Sequence, residues 1–373
     1  MEFRFPRILF YIKPIAKAVA GLLFFCCCLA VAQKLLRRAE YLQRVSTLEE
    51  ERPLFSFGII ADVQYGDLDD VMKRHGSVRH YRNALYLLRE AVQHWKEENR
   101  IQFALQLGDI IDGRNTRFKT SENALRDVLQ EFDGVPFVVH HIWGNHEFYN
   151  FSRNYLMKSP LFTAQENATD VEEVVKKEAD AVYYDFSPYK GYRFVILDNY
   201  DVSMCGIGRE KDSPQYKQAE KILRQVNKNE NLNSPEGLVG LDQRFVMFNG
   251  AVGEDQLQWL RETLEFARQQ GEKVVVSGHV PVHPKSCYAM CLLWNYQDVL
   301  NILEDFSDIV LAYFSGHNHE SGYHYDSGNE IHHVTLPGVI EVPLGSNAFG
   351  TVEVFSDRLV MHGVGELESR VMK

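Results

Sequence analysis

One pattern recurs five times along this chain: an apolar run, a tight turn, and then a side chain of a type that binds metal ions. The apolar runs have the length and composition of buried strands. Ligands gather at the carboxyl ends of strands in α/β sheets, so we expect the five turns to converge on one site. The five segments are 59–64 (IIADVQ), 105–112 (LQLGDIID), 142–147 (IWGNHE), 274–279 (VVVSGH) and 309–319 (IVLAYFSGHNH).

The side chains in these turns form a mixed set of carboxylates, amides and imidazoles without a thiolate. Such a set favours divalent Mn²⁺ or Fe²⁺ and also accepts Zn²⁺ or Mg²⁺. It is too large for one ion and suits two ions that share a carboxylate. The candidate metal ligands are Asp62, Gln64, Asp109, Asn145, His279, His317 and His319.

Asp109 is the predicted bridge, since its strand is expected to lie between the strands of the other ligands. Two ions about 3.5–4 Å apart can clamp a phosphoryl oxygen and hold a hydroxide between them. Such ions lower the pKa of bound water from ~15.7 towards ~7, which supplies a nucleophile at neutral pH. One predicted set is Asp62, Gln64, Asp109 and His319, and the other is Asp109, Asn145, His279 and His317.

His146 follows a candidate ligand and is the predicted catalytic residue. It is free to donate a proton to the leaving oxygen or to stabilise the developing charge. Asp112 and Glu147 are predicted acceptors that orient imidazoles or water around the ions. The remaining histidines near the motifs are attributed to substrate contact or packing: His140, His141, His283, His332 and His333.

Composition limits the class of partner. The chain has 373 residues, 45% of them hydrophobic and 24% charged, which is ordinary for a globular protein with a large core. Its net charge of −11 argues against a nucleic-acid groove, which needs a basic stripe. An acidic domain can still bind anionic phosphates when metal ions supply local positive charge.

Short apolar runs alternate with amphipathic helical segments, which predicts an α/β sandwich with mixed sheets. A catalytic domain is expected to begin at residue 53 and to run to residue 373. The predicted strands are 54–61, 103–107, 136–142, 192–198, 273–277, 309–315, 331–336, 349–355 and 358–363. The predicted helices are 82–99, 121–132 with Ser121 as N-cap, 255–270 ending at Gly271, and 295–306.

Residues 1–52 contain an uninterrupted apolar stretch at 18–32. Counted from residue 15 it spans ~28 Å, which is just enough to cross a bilayer if Lys17 reaches the interface. A membrane protein held by this single segment is therefore predicted, with membrane contact through residues 15–33 and a cytoplasmic catalytic domain. A cleaved signal peptide and a soluble cytoplasmic protein are the alternatives.

The ordered motifs Asp-x-Gln, Gly-Asp-x-x-Asp-Gly, Gly-Asn-His-Glu, Gly-His and Gly-His-x-His resemble those of the calcineurin-like metallophosphoesterases. Those enzymes usually carry Asp-x-His first, where this chain has Gln64. Segments 143–153, 291–296 and 348–352 are similar to a diphosphatase family within that group that acts on ADP-ribose and CDP-alcohols with manganese. The resemblance extends from about residue 53 to the C-terminus.

The resemblance implies a four-layer α/β/β/α sandwich of two mixed sheets and a dimetal site that prefers Mn²⁺. It implies hydrolysis of a phosphoanhydride in ADP-ribose, CDP-choline, CDP-ethanolamine, CDP-glycerol and related nucleoside diphosphate conjugates by a metal-activated hydroxide. The expected partners are these small molecules and no nucleic acid, and the protein is expected to be a monomer. Two alternatives stay open: a membrane-anchored phosphodiesterase acting on lipid- or glycan-linked phosphate, and a non-catalytic interaction module on the same fold.

One segment has two interpretations. Residues 291–296 are either a wall of the base or alcohol pocket or the start of a core helix. The candidate pocket residues are Cys291, Trp294, Asn295 and Tyr296.

Overall fold

Two mixed sheets stacked face to face carry the helices on their outer surfaces. The structure is a computed structural model that describes residues 37–38, 52–73, 76–163, 182–206 and 213–373. Its strands are β1 Phe55–Ile60, β2 Val71–Met72, β3 Val78–Arg79, β4 Ile101–Gln106, β5 Val138–His141, β6 Tyr184–Tyr189, β7 Tyr192–Ile196, β8 Lys273–Ser277, β9 Val310–Ser315, β10 Gly322–Asp326, β11 Ile331–Thr335, β12 Ala348–Val354, β13 Leu359–Gly365 and β14 Arg370–Met372.

The helices surround these strands. They are α1 Tyr81–Glu98, α2 Asn115–Phe118, α3 Ser121–Glu131, α4 Asn145–Asn150, α5 Arg153–Leu156, α6 Pro214–Val226, α7 Glu254–Gln270 and α8 Tyr296–Asp305. Three short 3₁₀ turns are Gly240–Arg244, Ala289–Cys291 and Val339–Glu341.

Each sheet has six strands and mixes parallel with antiparallel pairing. The first has the order β14-β13-β12-β1-β4-β5, in which β1, β4 and β5 are parallel. The second has the order β10-β11-β9-β8-β7-β6, in which β7, β8, β9 and β11 are parallel. Parallel neighbours end at the same edge of a sheet, so the turns after β1, β4 and β5 emerge side by side.

An aromatic layer fills the space between the sheets. Successive side chains of a strand point to opposite faces, and Phe57 of β1 points to the second sheet. Its ring stacks on Phe103 at a centroid distance of 5.1 Å. It meets Phe194 and Phe314 of the second sheet edge-on at 5.1 and 6.2 Å. These contacts join the two sheets through apolar burial.

Helices cover the outer faces. On the first sheet, Trp95 of α1 is fully buried, and its indole N–H donates to the Gly350 carbonyl oxygen at 3.1 Å. On the second sheet, Leu264 of α7 and Leu303 of α8 belong to the same buried cluster as Val276. The expected four-layer α/β/β/α arrangement is confirmed.

The nine predicted strands all form, with ends shifted by at most a few residues. The strands β2, β3, β6, β10 and β14 were not predicted, because they are very short or carry several polar residues. Helix α7 ends as expected at Gly271, whose φ is 68°. Ser121 is not an N-cap: Thr120 precedes the helix, and the Ser121 hydroxyl donates to Asn150 Oδ1 at 2.7 Å.

The expected membrane location requires correction. Within the described parts of the chain, no helix combines the length and the apolar character that crossing a bilayer requires. Residues 15–33, to which the membrane contact was assigned, lie outside the described residues. Pro53–Lys373 forms one compact unit.

Gly58 on β1 lies directly beneath the Trp95 ring. A Cβ atom at this position would come within 2.6 Å of the ring carbon Cε2. We therefore expect Gly58→Ala to lower the free energy of unfolding by about 1–3 kcal/mol through overpacking. Denaturant unfolding followed by circular dichroism measures this change.

Gly328→Ala is the matched control, because the nearest atom to its added Cβ is Asp326 Oδ1 at 3.3 Å, on an exposed turn. This control should stay within about 0.5 kcal/mol of the wild type. Equal stability of the two variants would show that Trp95 does not pack rigidly on β1.

Candidate metal centre

The turns that carry the candidate ligands share an unusual backbone conformation. Eight non-glycine residues of the described chain have a positive φ, and five of them are candidate ligands. Left-handed backbone at a non-glycine residue costs about 1–3 kcal/mol and persists where the surroundings enforce it, often at functional sites. The five are Asp62 (51°), Gln64 (44°), Asp109 (56°), His317 (67°) and His319 (62°).

Two buried carboxylates form the centre, and each uses its two oxygens differently. Asp62 Oδ2 accepts from the backbone N–H of His317 at 2.8 Å, and Asp109 Oδ1 accepts from that of His146 at 2.8 Å. The other oxygens face imidazoles. Asp62 Oδ1 lies 3.4 Å from His319 Nε2, and Asp109 Oδ2 lies 3.4 Å from His279 Nε2. Each carboxylate thus fixes a loop while presenting one oxygen to the interior of the site.

Gly144 allows the backbone to approach these groups. A Cβ atom there would lie 2.1 Å from Asp109 Oδ1 and 2.7 Å from His279 Nε2. No larger residue fits this position without moving a carboxylate or an imidazole. The glycine of the Gly-Asn-His-Glu motif is therefore explained by close packing.

Each of the three candidate-ligand histidines contacts a protein acceptor with one ring nitrogen. That contact holds the proton on the outer nitrogen and leaves the inner nitrogen free to bind a cation, which is the usual arrangement around metal-binding histidines. The contacts are His279 Nδ1 to the Leu107 carbonyl oxygen (2.7 Å), His317 Nε2 to Asn249 Oδ1 (2.7 Å) and His319 Nδ1 to Glu341 Oε1 (3.0 Å).

The inner atoms form two groups that have one member in common. Asp62, Asp109 and His319 offer ligand atoms within 4.8 Å of one another, and so do Asp109, His279 and His317. The two expected sets share Asp109 in the same way. The chain thus brings together two neighbouring clusters that fit a pair of divalent ions.

Gln64 completes the first group. Its side-chain nitrogen lies 3.0 Å from Asp109 Oδ2 and 2.9 Å from His319 Nε2. Its oxygen Oε1 is buried and has no hydrogen-bond partner among the described residues. A half-turn of the amide exchanges the two atoms and gives the oxygen the central position. The orphaned oxygen and the three inward imidazole nitrogens are what a cation site requires.

Asn145 lies beside the second group. It is buried, and its Oδ1 accepts from the Tyr200 hydroxyl at 3.1 Å. The Tyr200 ring lies 6.1 Å from that of His279, measured between centroids. The hydrogen bond from Tyr200 orients the amide of Asn145, which follows Gly144 in the chain.

His146 turns one ring nitrogen toward the centre. Its Nδ1 accepts from the Gly113 N–H at 2.7 Å, so the proton of the neutral ring resides on Nε2. Nε2 lies 3.9 Å from Asp109 Oδ2. Asp112 Oδ2 lies 3.3 Å from Nδ1 and also pairs with Arg79. Burial alone would raise the Asp112 pKa, but the interactions with His146 and Arg79 lower it below its usual value.

Glu147 holds loops together. Its carboxylate accepts from the backbone N–H groups of Asp109 (2.8 Å), Ile110 (2.7 Å) and Gly144 (2.6 Å). This differs from the expectation that it would orient an imidazole or water. Burial and the Asp109 charge raise the pKa of Glu147 to about 7.

The electrostatics of the site favour added positive charge. Burial tends to raise the Asp109 pKa, yet His279 and His146 hold it well below its usual range. Burial tends to lower the His279 pKa, but Asp109 outweighs it and raises the value to about 9. Protons are therefore held at this site by the same carboxylates that would hold metal ions.

Several residues that support the site were missed from the sequence. Asn249 belongs to an Asn-Gly pair that is typical of turns, and Glu341 follows a Pro-Gly turn. Tyr200 and Arg79 stand in segments with no motif. Their roles depend on contacts between distant parts of the chain, so no local pattern indicates them.

The predicted pocket segment is largely structural. Trp294 is buried, and its indole N–H donates to the Val246 carbonyl oxygen at 3.1 Å, so it does not wall a pocket. Asn295 pairs with both backbone groups of Val252, at 3.1 and 2.9 Å. The alternative interpretation, the start of a core helix, fits these two residues.

The other two pocket candidates differ from each other. The Tyr296 ring lies 5.3 Å from the Arg244 guanidinium. Burial and the Asp62 charge raise the pKa of the Cys291 thiol to about 12.

Comparison with known proteins agrees with this geometry. The calcineurin-like phosphoesterase family matches residues 55–321. The manganese-dependent ADP-ribose/CDP-alcohol diphosphatase of Xenopus laevis is 45% identical, over 90% of this chain and 95% of its own length. The human protein of that name is 43% identical, over 86% of this chain and 92% of its own length.

A solved structure agrees as well. The crystal structure of a dimetal phosphatase from Danio rerio is 44% identical, with a TM-score of 0.80, and the match covers 86% of this chain and 99% of that one. The relatives are named as manganese-dependent, which agrees with the oxygen-rich ligand set. This chain therefore belongs to the calcineurin-like phosphoesterase family and is a metal-dependent phosphohydrolase.

Proposed function

We propose that this chain hydrolyses the phosphoanhydride bond of ADP-ribose and of CDP-alcohols at a pair of divalent ions, with Mn²⁺ preferred. One observation carries the proposal: Asp109 Oδ2 faces both clusters, lying 3.0 Å from the Gln64 side chain and 3.4 Å from His279 Nε2. A shared carboxylate oxygen is the bridge that a two-ion site needs. The names of the relatives support the choice of substrate.

The ligand roles are part of the proposal. When bound, two divalent ions polarise the phosphoryl group and make water more acidic. They also offset the acidity of a chain whose net charge is −11, which otherwise repels a diphosphate. Asp62, Gln64, Asp109 and His319 would hold one ion, and Asp109, Asn145, His279 and His317 the other.

His146 would act on the leaving group. The Nε2 proton points toward the centre because Nδ1 accepts from Gly113. Attack of water on one phosphorus of the diphosphate breaks its bond to the bridging oxygen. That oxygen leaves with the other phosphoryl group as a phosphate monoester. Nε2–H donates to that oxygen as its negative charge develops. The Asp112 carboxylate, 3.3 Å from Nδ1, helps to keep the ring in this orientation.

We further propose that the partners of this chain are small molecules and not nucleic acids. We also propose that the protein is a monomer. The alternative is hydrolysis of lipid- or glycan-linked phosphodiesters. A comparison of substrates distinguishes it from hydrolysis of ADP-ribose and CDP-alcohols. No feature of the described residues favours that alternative.

With Mn²⁺, the purified protein should cleave ADP-ribose to AMP and CDP-choline to CMP, and addition of EDTA should abolish both activities. Kinetics with bis(4-nitrophenyl) phosphate as a simple phosphodiester provide the comparison. A value of kcat/KM for the diester equal to or above those for the two conjugates would overturn the proposed substrate class.

Replacing His146 with glutamine should lower kcat about 10²–10⁴-fold, because a positioned proton donor contributes that much to a rate. The metal content should not change, because His146 is not assigned to either ion. Steady-state kinetics and metal analysis of the same samples measure both. His94→Gln on α1, with 41% of its side chain exposed, is the matched control. An unchanged kcat would remove His146 from the mechanism.

Gln64→His should shift metal preference from Mn²⁺ toward Zn²⁺, because imidazole is a softer ligand than an amide oxygen. We expect the ratio of kcat/KM with Mn²⁺ to that with Zn²⁺ to fall about tenfold, a change of ~1.4 kcal/mol in relative stabilisation. Gln93→His, on the exposed surface of α1, controls for an added histidine. The same ratio in wild type and Gln64→His would contradict the role given to the amide.

A further inference from the structure

A second group of potential metal ligands lies at the edge of the second sheet, apart from the site described above. His283, His324 and Asp326 offer ligand atoms within 4.8 Å of one another. His283 lies in the loop after β8, whereas His324 and Asp326 lie on the edge strand β10. Groups from separate segments therefore meet at one point.

A fourth side chain, His333, packs beside this group. His324 stands directly opposite His333 in the antiparallel pair β10–β11, so their side chains share one face of the sheet. The next residue, Val334, packs between the two sheets, so the histidines lie on the outer face. The His283 ring lies 4.2 Å from the His324 ring and 4.6 Å from the His333 ring, measured between centroids.

One ring nitrogen of His333 lacks a hydrogen-bond partner among the described residues. Its side chain is 98% buried, since only 2% is exposed, and its Nδ1 has no hydrogen-bond partner in the part of the chain that the structure describes. A buried imidazole nitrogen without a partner is unfavourable, which makes it an unusual feature in a folded core. A ligand in the space between these rings would satisfy it.

The surroundings of the three imidazoles favour their neutral form. Burial lowers the pKa of His283 to about 4 and that of His333 to about 3, and it also lowers the pKa of His324. The charge of Lys285 acts in the same direction on His283 and His324, while Asp326 opposes it. Neutral rings keep lone pairs available to a metal ion without competition from protons.

We propose that His283, His324 and Asp326, with His333 as a fourth ligand, bind one transition-metal ion of the Zn²⁺ class. Three imidazoles and one carboxylate suit tetrahedral zinc, whose ligand bonds are about 2.0–2.2 Å long. Nitrogen makes up a larger share of this ligand set than of the candidate dimetal centre, so the set favours a softer ion than Mn²⁺. The proposal stands independently of the proposed phosphohydrolase substrates.

Binding requires small movements that the site permits. The ligand atoms of His283, His324 and Asp326, now within 4.8 Å of one another, would close to about 3.4 Å around a tetrahedral ion, and the His333 ring would move to join them. His324 and Asp326 are only partly buried on an edge strand, and Asp326 would exchange hydrogen bonds from the Gly328 N–H (2.9 Å) and the Asn329 amide (3.1 Å) for the ion. His283 Nδ1 accepts a long hydrogen bond of 3.2 Å from the Lys285 N–H, which coordination at that atom would replace.

A bound ion would cross-link the edge strand β10 to the loop after β8. That loop contains His279, a candidate ligand of the dimetal centre, four residues before His283. The site would therefore stabilise the segment that presents His279. A structural role of this kind predicts an effect of zinc on thermal stability.

The test uses the full chain without a histidine tag, dialysed to equilibrium with Zn²⁺ and analysed for bound zinc by mass spectrometry. His324→Ala and Asp326→Asn should each bind one zinc ion per chain fewer than the wild type. His94→Ala, which removes an exposed histidine elsewhere, should match the wild type. Asp109→Asn should retain the zinc that the two edge-strand variants lose, which separates this site from the dimetal centre.

Thermal unfolding provides a second measurement. Zinc should raise the Tm of Asp109→Asn, and the double variant Asp109→Asn/His324→Ala should lose that increase. Circular dichroism confirms that each variant is folded before metal is added. Equal zinc content in the wild type and both edge-strand variants, with all of them folded, would overturn the proposal.

Discussion

The burial of two carboxylates, Asp62 and Asp109, in the loops at the edge of the first sheet determines how the rest of the site is built. Burying charge in a protein interior is unfavourable unless opposite charge and hydrogen bonds surround it. Each carboxylate accepts from a backbone N–H of a neighbouring loop and faces an imidazole with its second oxygen. The depressed pKa of Asp109 shows that these groups outweigh the cost of burial. A site arranged in this way stabilises cations at its centre.

The fold brings these groups together through strand order. Strands β1 and β4 are parallel neighbours, so Asp62 and Asp109 follow them at the same edge of the first sheet. The loops after the two strands are joined by hydrogen bonds from the Asp62 N–H to the Gly108 carbonyl oxygen (3.1 Å) and from the Gln64 N–H to the Asp109 carbonyl oxygen (2.8 Å). The aromatic layer then fixes the second sheet, with its histidines, against the first. Packing of the aromatic layer, which lies away from the ligands, thereby sets the separation of the ligands on the two sheets.

The sequence predicted the parts of this arrangement that depend on local pattern. Apolar runs locate the central strands, and the motif turns locate Asp62, Asp109 and His317, because backbone geometry places residues that follow a strand at its carboxyl end. The acceptors behind the imidazoles were not predictable in this way. Asn249 lies 68 residues before His317 in the chain and meets it only through tertiary packing.

Trp294 illustrates an ambiguity instead: an aromatic residue after a strand fits a pocket wall or a core equally well, and only its surroundings distinguish the two. His324 was overlooked for a related reason. The strand β10 has the sequence GYHYD, whose polar residues did not predict a strand. Without that strand and its register there was no reason to pair His324 with His333, and His283 and His333 were attributed to substrate contact or packing. Clusters that depend on register between strands are thus the least visible in a sequence.

A single guanidinium connects the two sides of the catalytic machinery. Arg79 pairs with Asp112 at 3.2 Å and with Glu341 at 3.2 Å. Asp112 contacts the ring of His146, and Glu341 contacts that of His319. Its positive charge stabilises both carboxylates in their ionised form, in which Glu341 can accept from the imidazole of His319. Because Arg79 supports both contacts, the orientations of His146, the proposed proton donor, and of His319, a candidate metal ligand, depend on the same ion pairs.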